Sequence, residues 1–405
     1  MKNKLHPNII WLGIASLFND ISGEIITRVL PLFLSATLGI GMGLIGLIEG
    51  VADTTSSLLK IISGWYSDRF KTRKAPTVLG YAITAAARPL LLFTSSWLLP
   101  LISRFLDRAG KGIRTAPRDA LVADSVDAQS RGRAFGIQRT LDPLGAVIGA
   151  LVASLVTGLL TNDSPMTISA HTFTTLIYIA AIPSFVSVLL IAIFVRNIKV
   201  HASPHERKEI RTHESSFSVP FKRYLIVLFI FSLGMSSDAF LLLRSAQAGL
   251  RPSEIFLLVA FFNLVTTITA YPAGILADKL GKRKVIIIGW MFYGAIYIGF
   301  AIADSPSMIS LLFILYGLYY GITEGVEKAL VADLVPAQKR GAAYGLFNAV
   351  IGFSALPASV GFGFLWQQFG APVAFSVGAG CALLAGVLLS FAIKGELNET
   401  IEYKL

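Results

Sequence analysis

The 405-residue sequence holds one cysteine, Cys381, which excludes an internal disulfide framework. Histidine is nearly as scarce. His6, His171, His201, His205 and His213 all fall in terminal or loop segments, whereas a transition-metal path would place His or Cys at depth. No metal and no other cofactor is expected, although a hard cation between Asp20 and Asp53 stays open. Charge is also sparse, at 15% of residues against 54% hydrophobic, and no soluble stretch reaches domain size. "GKGIRT" fails as a phosphate loop because Gly112 follows its lysine, where G-x-x-x-x-G-K-[ST] needs Ser or Thr. That argues against drive by ATP. No nucleophile–base pair or metal cluster sits at helical spacing, which argues against a membrane enzyme.

What is present is long and apolar. Hydrophobic runs of about 18 residues or more recur along almost the whole chain, as membrane spans do. Twelve are expected, at 9–38, 43–67, 77–95, 97–121, 132–160, 172–196, 221–246, 253–277, 285–303, 307–332, 342–367 and 371–393. The basic-then-apolar N-terminus runs past signal-peptide length and reads as the first span. The polar stretch 197–220 divides the chain into two sets of six. The fold class is therefore an all-α integral membrane protein with residues 1–196 and 221–405 as six-helix bundles and 197–220 as a linker.

The net charge of +11 follows the positive-inside rule rather than a nucleic-acid footprint. Lys2, Lys4, Arg69, Lys71, Arg73, Lys74, the linker, Lys279, Lys282, Arg283, Lys284, Lys339 and Arg340 occupy alternate loops. Both termini and the linker are accordingly expected on the cytoplasmic side.

The halves repeat. "GWYSDRFKTRK" at 64–74 returns as "GILADKLGKRK" at 274–284. "ALVADSVDAQSRGRAFGI" at 120–137 returns as "ALVADLVPAQKRGAAYGL" at 329–346, with twelve of eighteen positions identical at an offset of 209. Parallel six-span repeats suit a transporter with its site between the halves near the midplane.

These residues resemble the major facilitator superfamily along essentially the whole chain. Its loop signature G-x-x-x-D-R-x-G-R-R-K is met by Gly64, Asp68, Arg69, Arg73 and Lys74, with Lys71 in place of the glycine. The second copy keeps Gly274, Asp278, Gly281, Arg283 and Lys284. "DRAGKGIRTAPRDAL" in span 4 resembles a prokaryotic branch of the family. The span-4 pattern R-x-x-Q-G is matched only at Arg104, and span 5 lacks the antiporter Gly-Pro pair. The resemblance implies a fold with spans 1, 4, 7 and 10 around the cavity, and a loop role in conformational control for Asp68, Arg69, Arg73, Asp278 and Arg283.

Ionisable side chains at bilayer depth cost roughly 2.5–3.5 kcal/mol each on insertion scales, so each needs a reason. Asp20, Glu24 and Arg28 share one face of span 1, and Glu49 and Asp53 one face of span 2. Arg104, Asp107 and Arg108 lie in span 4, Arg139 and Asp142 in span 5. Arg104/Asp107 and Arg139/Asp142 are i, i+3 pairs that equally suit helix pinning. Lys60 reads as a snorkelling lysine. Asp20, Glu24 and Asp53 are candidate proton carriers, since desolvation favours the neutral form of a carboxylate. Arg28 and Arg104 are candidate contacts for an anion. Arg118 and Asp119 correspond by the repeat to Glu327 and Lys328 with charges reversed, and so are expected to pair across a cytoplasmic gate when the cavity faces outward.

The expected function is secondary transport of a small polar organic solute, an anion among the candidates, coupled to protons. The alternative is an efflux pump for amphipathic compounds such as drugs or siderophores, with Tyr316, Tyr319 and Tyr320 as its aromatics. The charged cavity argues against a transport-dead scaffold. Expected partners are the small-molecule substrate, protons and the lipid bilayer, with no nucleic acid. A monomer in a bacterial inner membrane is expected.

Overall fold

The computed structural model describes residues 6–70, 73–126, 131–160, 167–196, 217–336 and 339–392. Most of the expected linker 197–220 lies outside them, as do the side chains of Asp68, Arg69 and Arg139. The described residues are helical almost throughout.

The first half supplies α1 (Pro7–Leu32), α2 (Met42–Phe70), α3 (Lys74–Ala87), α4 (Leu98–Asp124), α5 (Arg131–Leu160) and α6 (Ala170–Phe194). The second supplies α7 (Val219–Gly234), α8 (Ala239–Gln247), α9 (Pro252–Leu280), α10 (Lys282–Ile302), α11 (Pro306–Leu334), α12 (Arg340–Phe369) and α13 (Ala371–Ala392). Starts follow local chemistry. Pro7 opens α1, where a missing N–H costs nothing, and the His6 ring accepts from the Asn8 N–H at 3.2 Å. Ser169 and Ser305 cap α6 and α11 by accepting from Thr172 and Met308. α1 runs on into a π-helical turn, Phe33–Thr37, and α3 into a 3-10 segment, Arg88–Phe93.

Among the described residues, ten helical segments are long and apolar enough to cross a membrane. α2 and α4 fall at the expected spans 2 and 4 and are as long as the others, at 29 and 27 residues. They differ in composition, because they carry Glu49, Asp53, Lys60, Arg104, Asp107, Arg108, Lys111 and Arg114. The expected continuous seventh span is broken instead. α7 and α8 are separated at Met235–Asp238, where Ser236, Ser237 and Asp238 take the backbone out of the helix.

α1 and α6 are tied at their shared end. Asn8 donates to the Arg196 carbonyl and accepts from its N–H, both at 2.9 Å. This end, where α6 stops and α7 starts, is called the linker end. Contacts between the halves concentrate at the opposite, far end. There α2 lies against α12 and α5 against α9. Gly46 lies so close to α12 that a Cβ would meet the Ser359 carbonyl, and a Cβ on Gly363 would meet the Met42 carbonyl. The Gly43 N–H donates to Gln367 at 3.0 Å, Thr54 to the Gly352 carbonyl at 2.8 Å, and Ser154 to the Ser253 carbonyl at 2.7 Å. Toward the linker end, no hydrogen bond joins the halves among the described residues.

The Gly46 approach leaves no room for a branched side chain. Gly46→Val is expected to wedge α2 from α12 and lower stability by about 1–3 kcal/mol, as overpacking does. Thermal unfolding of the purified protein measures it, with Gly345→Val, at a site with open space beside it, as the comparison.

Candidate functional site

Between the halves lies a cavity of about 590 Å³. Its first-half wall comes from α1, α2, α4 and α5 and carries nearly all its charge. Its second-half wall comes from the α7–α8 junction, α9, α11 and α12, and is lined by Ser232, Ser236, Ser237, Asn263, Thr266, Thr267 and Tyr320, with Asp238 its one acidic residue.

The most buried charges form a lattice across helices. Arg104, 1% exposed, donates from Nε to Glu49 Oε1 at 3.1 Å and from Nη2 to Glu49 Oε2 at 2.5 Å, a two-pronged pair between α4 and α2. Its Nη1 donates to Thr27 on α1 at 3.1 Å. The expected Arg104/Asp107 pair is secondary, at 3.8 Å. Asp107 is held by Arg88 from the 3-10 segment at 3.2 Å, and Arg88 also donates to the Asn19 carbonyl and the Ser184 hydroxyl. Each of the three guanidinium nitrogens of Arg104 is engaged by Glu49 or Thr27, an arrangement that braces α4 against α2 and α1. Sequence spacing compared neighbours on one helix, whereas the forks reach between helices.

A second network crosses between the halves. Arg28 donates from Nε to Glu24 at 2.9 Å and from Nη1 to Asp238 at 3.4 Å. Asn263 on α9 donates to Glu24 at 3.0 Å, and the Tyr316 hydroxyl donates to Asp238 at 3.1 Å. Asp238 was not among the sequence candidates. A signal existed, since it is the one carboxylate in "SLGMSSDAF" and sits 210 residues after Arg28, the offset that relates the two loop copies.

The remaining cavity charges are held loosely. Arg108 lies 3.5 Å from Asp53, whose side chain is 40% exposed, and its buried Nε has no hydrogen-bond partner. Lys60 and Lys111 line the cavity without an ion-pair or hydrogen-bond partner among the described residues, each within electrostatic reach of Arg108. Lys60 thus faces the cavity, where a snorkelling position was expected. Asp20 also lines it, and its recorded polar contact is a 3.3 Å hydrogen bond donated by Asn19. Arg114 donates to Thr84 at 2.8 Å and lies over the Tyr81 ring. Asp142 meets Arg118 at 3.5 Å, and the expected Arg139/Asp142 pair falls on a side chain outside the described residues.

The expected gate residues are not joined across the halves in this structure. Arg118 donates to Asp119 at 3.1 Å and to Ser16 at 2.7 Å. Glu327 accepts from the Trp290 indole at 2.8 Å, and Lys328 donates to Glu324 at 2.7 Å. All of these lie within one half. The loop residues act locally as well. Arg73 lies 3.3 Å from Asp124 and donates to Ser67, while Arg283 donates to the Leu389 and Ser390 carbonyls. Lys282 meets Asp333 at 2.6 Å, so the repeat-related carboxylates Asp124 and Asp333, near the ends of α4 and α11, hold the residues at the starts of α3 and α10. Asp278 is exposed, and the side chains of Asp68 and Arg69 lie outside the described residues.

The chain matches a known family model, described as Major Facilitator Superfamily, over residues 12–251 and 225–401. The chain belongs to the Major Facilitator Superfamily. A relative at this level is an uncharacterized MFS-type transporter of Methanocaldococcus jannaschii, 34% identical over 398 residues, 96% of this chain and 95% of that one. A cis,cis-muconate transport protein of Acinetobacter baylyi is 26% identical over 336 residues, 75% of this chain and 77% of that one. The quinolone resistance protein NorA of Staphylococcus aureus is 34% identical over 116 residues, 28% of this chain and 30% of that one. In fold, the chain matches the nucleoside transporter NupG with a TM-score of 0.73 at 15% identity, over 96% of this chain and 99% of that one. The protein is thus an integral membrane transporter of the Major Facilitator Superfamily.

Breaking one partner of a desolvated pair leaves a bare buried charge. Arg104→Ala is expected to cost about 3–5 kcal/mol, and the double change Arg104→Met with Glu49→Met markedly less. A double-mutant cycle on melting temperature reads the difference. A double loss equal to the sum of the Arg104→Met and Glu49→Met losses would show that the two residues act independently.

Proposed function

We propose that this Major Facilitator Superfamily protein is a secondary transporter of a small organic anion, driven by coupled proton movement. The observation that carries the reading is Lys60 and Lys111, two cavity cations without an ion-pair or hydrogen-bond partner among the described residues, beside Arg108, whose Nε has only the 3.5 Å ion pair with Asp53. Most of the other buried charges in the cavity are paired, so loose cations there suit an anionic ligand that would neutralise them. The similarity to a muconate transport protein supports an anionic solute. Asp20 is the proposed proton carrier. It faces the same cavity without an arginine partner, so substrate charge and proton occupancy act on each other through space.

In this proposal α2 and α4 complete twelve spans, residues 1–196 and 221–405 form two six-helix bundles joined by the linker 197–220, and the termini face the cytoplasm of a bacterial inner membrane. The far-end closure corresponds to an inward-facing state of a monomer. Rocking then breaks the Arg28–Asp238 and Asn263–Glu24 contacts and brings Arg118 and Asp119 toward Glu327 and Lys328. Proton-driven efflux of amphipathic compounds is the second reading. The NorA similarity favours it over 28% of the chain, and Tyr320 on the cavity wall supplies an aromatic surface.

Flux in proteoliposomes tests the first reading. An imposed pH gradient is expected to drive anion accumulation. Asp20→Asn is expected to abolish that accumulation while leaving solute exchange at equal pH, because the variant still binds but no longer carries the proton. Gradient-driven accumulation by Asp20→Asn at the wild-type rate would remove Asp20 from the coupling role, and transport of amphipathic cations in place of anions would favour efflux.

A further inference from the structure

The two walls of the cavity differ in kind, and the difference restricts the shape of the solute. On the first-half wall Lys60 from α2 and Arg108 and Lys111 from α4 line the cavity together, with Asp53 3.5 Å from Arg108 and Asp20 on the same wall, so that cations outnumber carboxylates among these five. Arg28 and Arg88 also line the cavity, yet each is already held by carboxylates. The second-half wall has no cation among its lining residues. Its single charge, Asp238, is engaged by Arg28 and Tyr316 and would repel a second anionic group. What it does offer is a hydroxyl and amide surface. The Ser232 hydroxyl is buried without a partner. The hydroxyls of Thr266 and Thr267 donate to the Gly317 and Asn263 carbonyls, and the Ser237 hydroxyl accepts from the Ala239 N–H. Each of these oxygens keeps capacity for a further hydrogen bond.

Resting on the anion-transport reading, we propose that the solute is single-headed: one carboxylate or phosphate on Lys60, Arg108 and Lys111, and an uncharged, hydroxyl-bearing body against the Ser232, Ser237 and Thr267 wall. A two-ended dicarboxylate would set its second charge beside Asp238, where the one cation, Arg28, is already held by Glu24 and Asp238. An uncharged polyol would leave Lys60 and Lys111 without a counter-charge in contact. A hydroxylated acid satisfies both walls at once, and hydrogen bonds to charged groups make the head the anchor.

Binding to the purified full-length protein in nanodiscs tests this by titration calorimetry at fixed pH. The probes are glucuronate and glycerol 3-phosphate, each with one anionic head and hydroxyls, cis,cis-muconate with two heads and no hydroxyls, and glucose with hydroxyls alone. The wild-type protein is expected to bind at least one of the first two about tenfold or more tightly than muconate or glucose, since each well-placed hydrogen bond to a charge is worth about that factor. Lys60→Ala and Lys111→Ala are expected to weaken the head-bearing probes by a similar factor. Thr267→Val, on the opposite wall, is expected to narrow their advantage over muconate. Preference for muconate would overturn the single-headed proposal while leaving anion transport standing. Binding of amphipathic cations with no response to any anion would remove both.

Discussion

A charge that leaves water for the interior of a helical bundle must find a partner, and this constraint organises the molecule. The Arg104–Glu49 fork meets it most fully. Two nitrogens face two carboxylate oxygens, Thr27 takes a third direction, and both residues are almost fully buried. Desolvating either alone would be costly, so the pair fixes α4 against α2 and α1 in one register. Arg88 with Asp107 does the same for α3 and α4, and reaches α1 and α6 through the Asn19 carbonyl and the Ser184 hydroxyl. The first half is thus a braced frame. Only against such a frame does an unpartnered lysine acquire meaning, since the surrounding charges are already accounted for.

The second half is built on other forces. Tyr293, Tyr297, Tyr316 and Tyr319 are buried and pack ring against ring, with Phe231 and Trp290 stacked beside them at 4.3 Å between centroids. Offset and edge-on aromatic contacts supply rigidity without charge. Polar atoms in this half serve mainly to satisfy one another, as when Tyr316 donates to Asp238 or Trp290 to Glu327. The repeat in sequence therefore preserves helix order and loop clamps, seen in Asp124 and Asp333, while the cavity-facing chemistry has diverged. One wall presents charge and the other hydroxyls.

Much of this was legible in the chain before any coordinates. Helical segments fall where hydrophobic runs lie, because length and apolarity follow directly from the bilayer. The duplicated segments announced the two sets of helices. What escaped was whatever depends on the meeting of different helices. Spacing along span 4 suggested Arg104 with Asp107, yet a side chain can reach a carboxylate on another helix as easily as one a turn away. The break at Ser236–Asp238 escaped because its flanks are apolar enough to read as one span, and short polar residues that unwind a helix locally also occur within intact ones. Asp238 was lost with that break. Lys60 looked like an interface lysine because sequence gives its depth but not its rotational setting once helices tilt.

The far-end closure and the cross-half network bear on how such a cavity could alternate. Gly46 and Gly363 let backbones touch, so the closure rests on many weak contacts that separate without stranding a charge. The Arg28–Asp238 and Glu24–Asn263 contacts are different. Separation strands carboxylate and guanidinium groups unless they find new partners. Arg28 retains Glu24, its neighbour on the same helix at 2.9 Å, so opening releases Asp238 alone, and Tyr316 still donates to it. The network is therefore asymmetric in its favour for opening, since neither half is left with a bare buried charge. Under the proposed alternation, such a device would leave two arrangements close enough in energy for a modest differential affinity of the solute to tip.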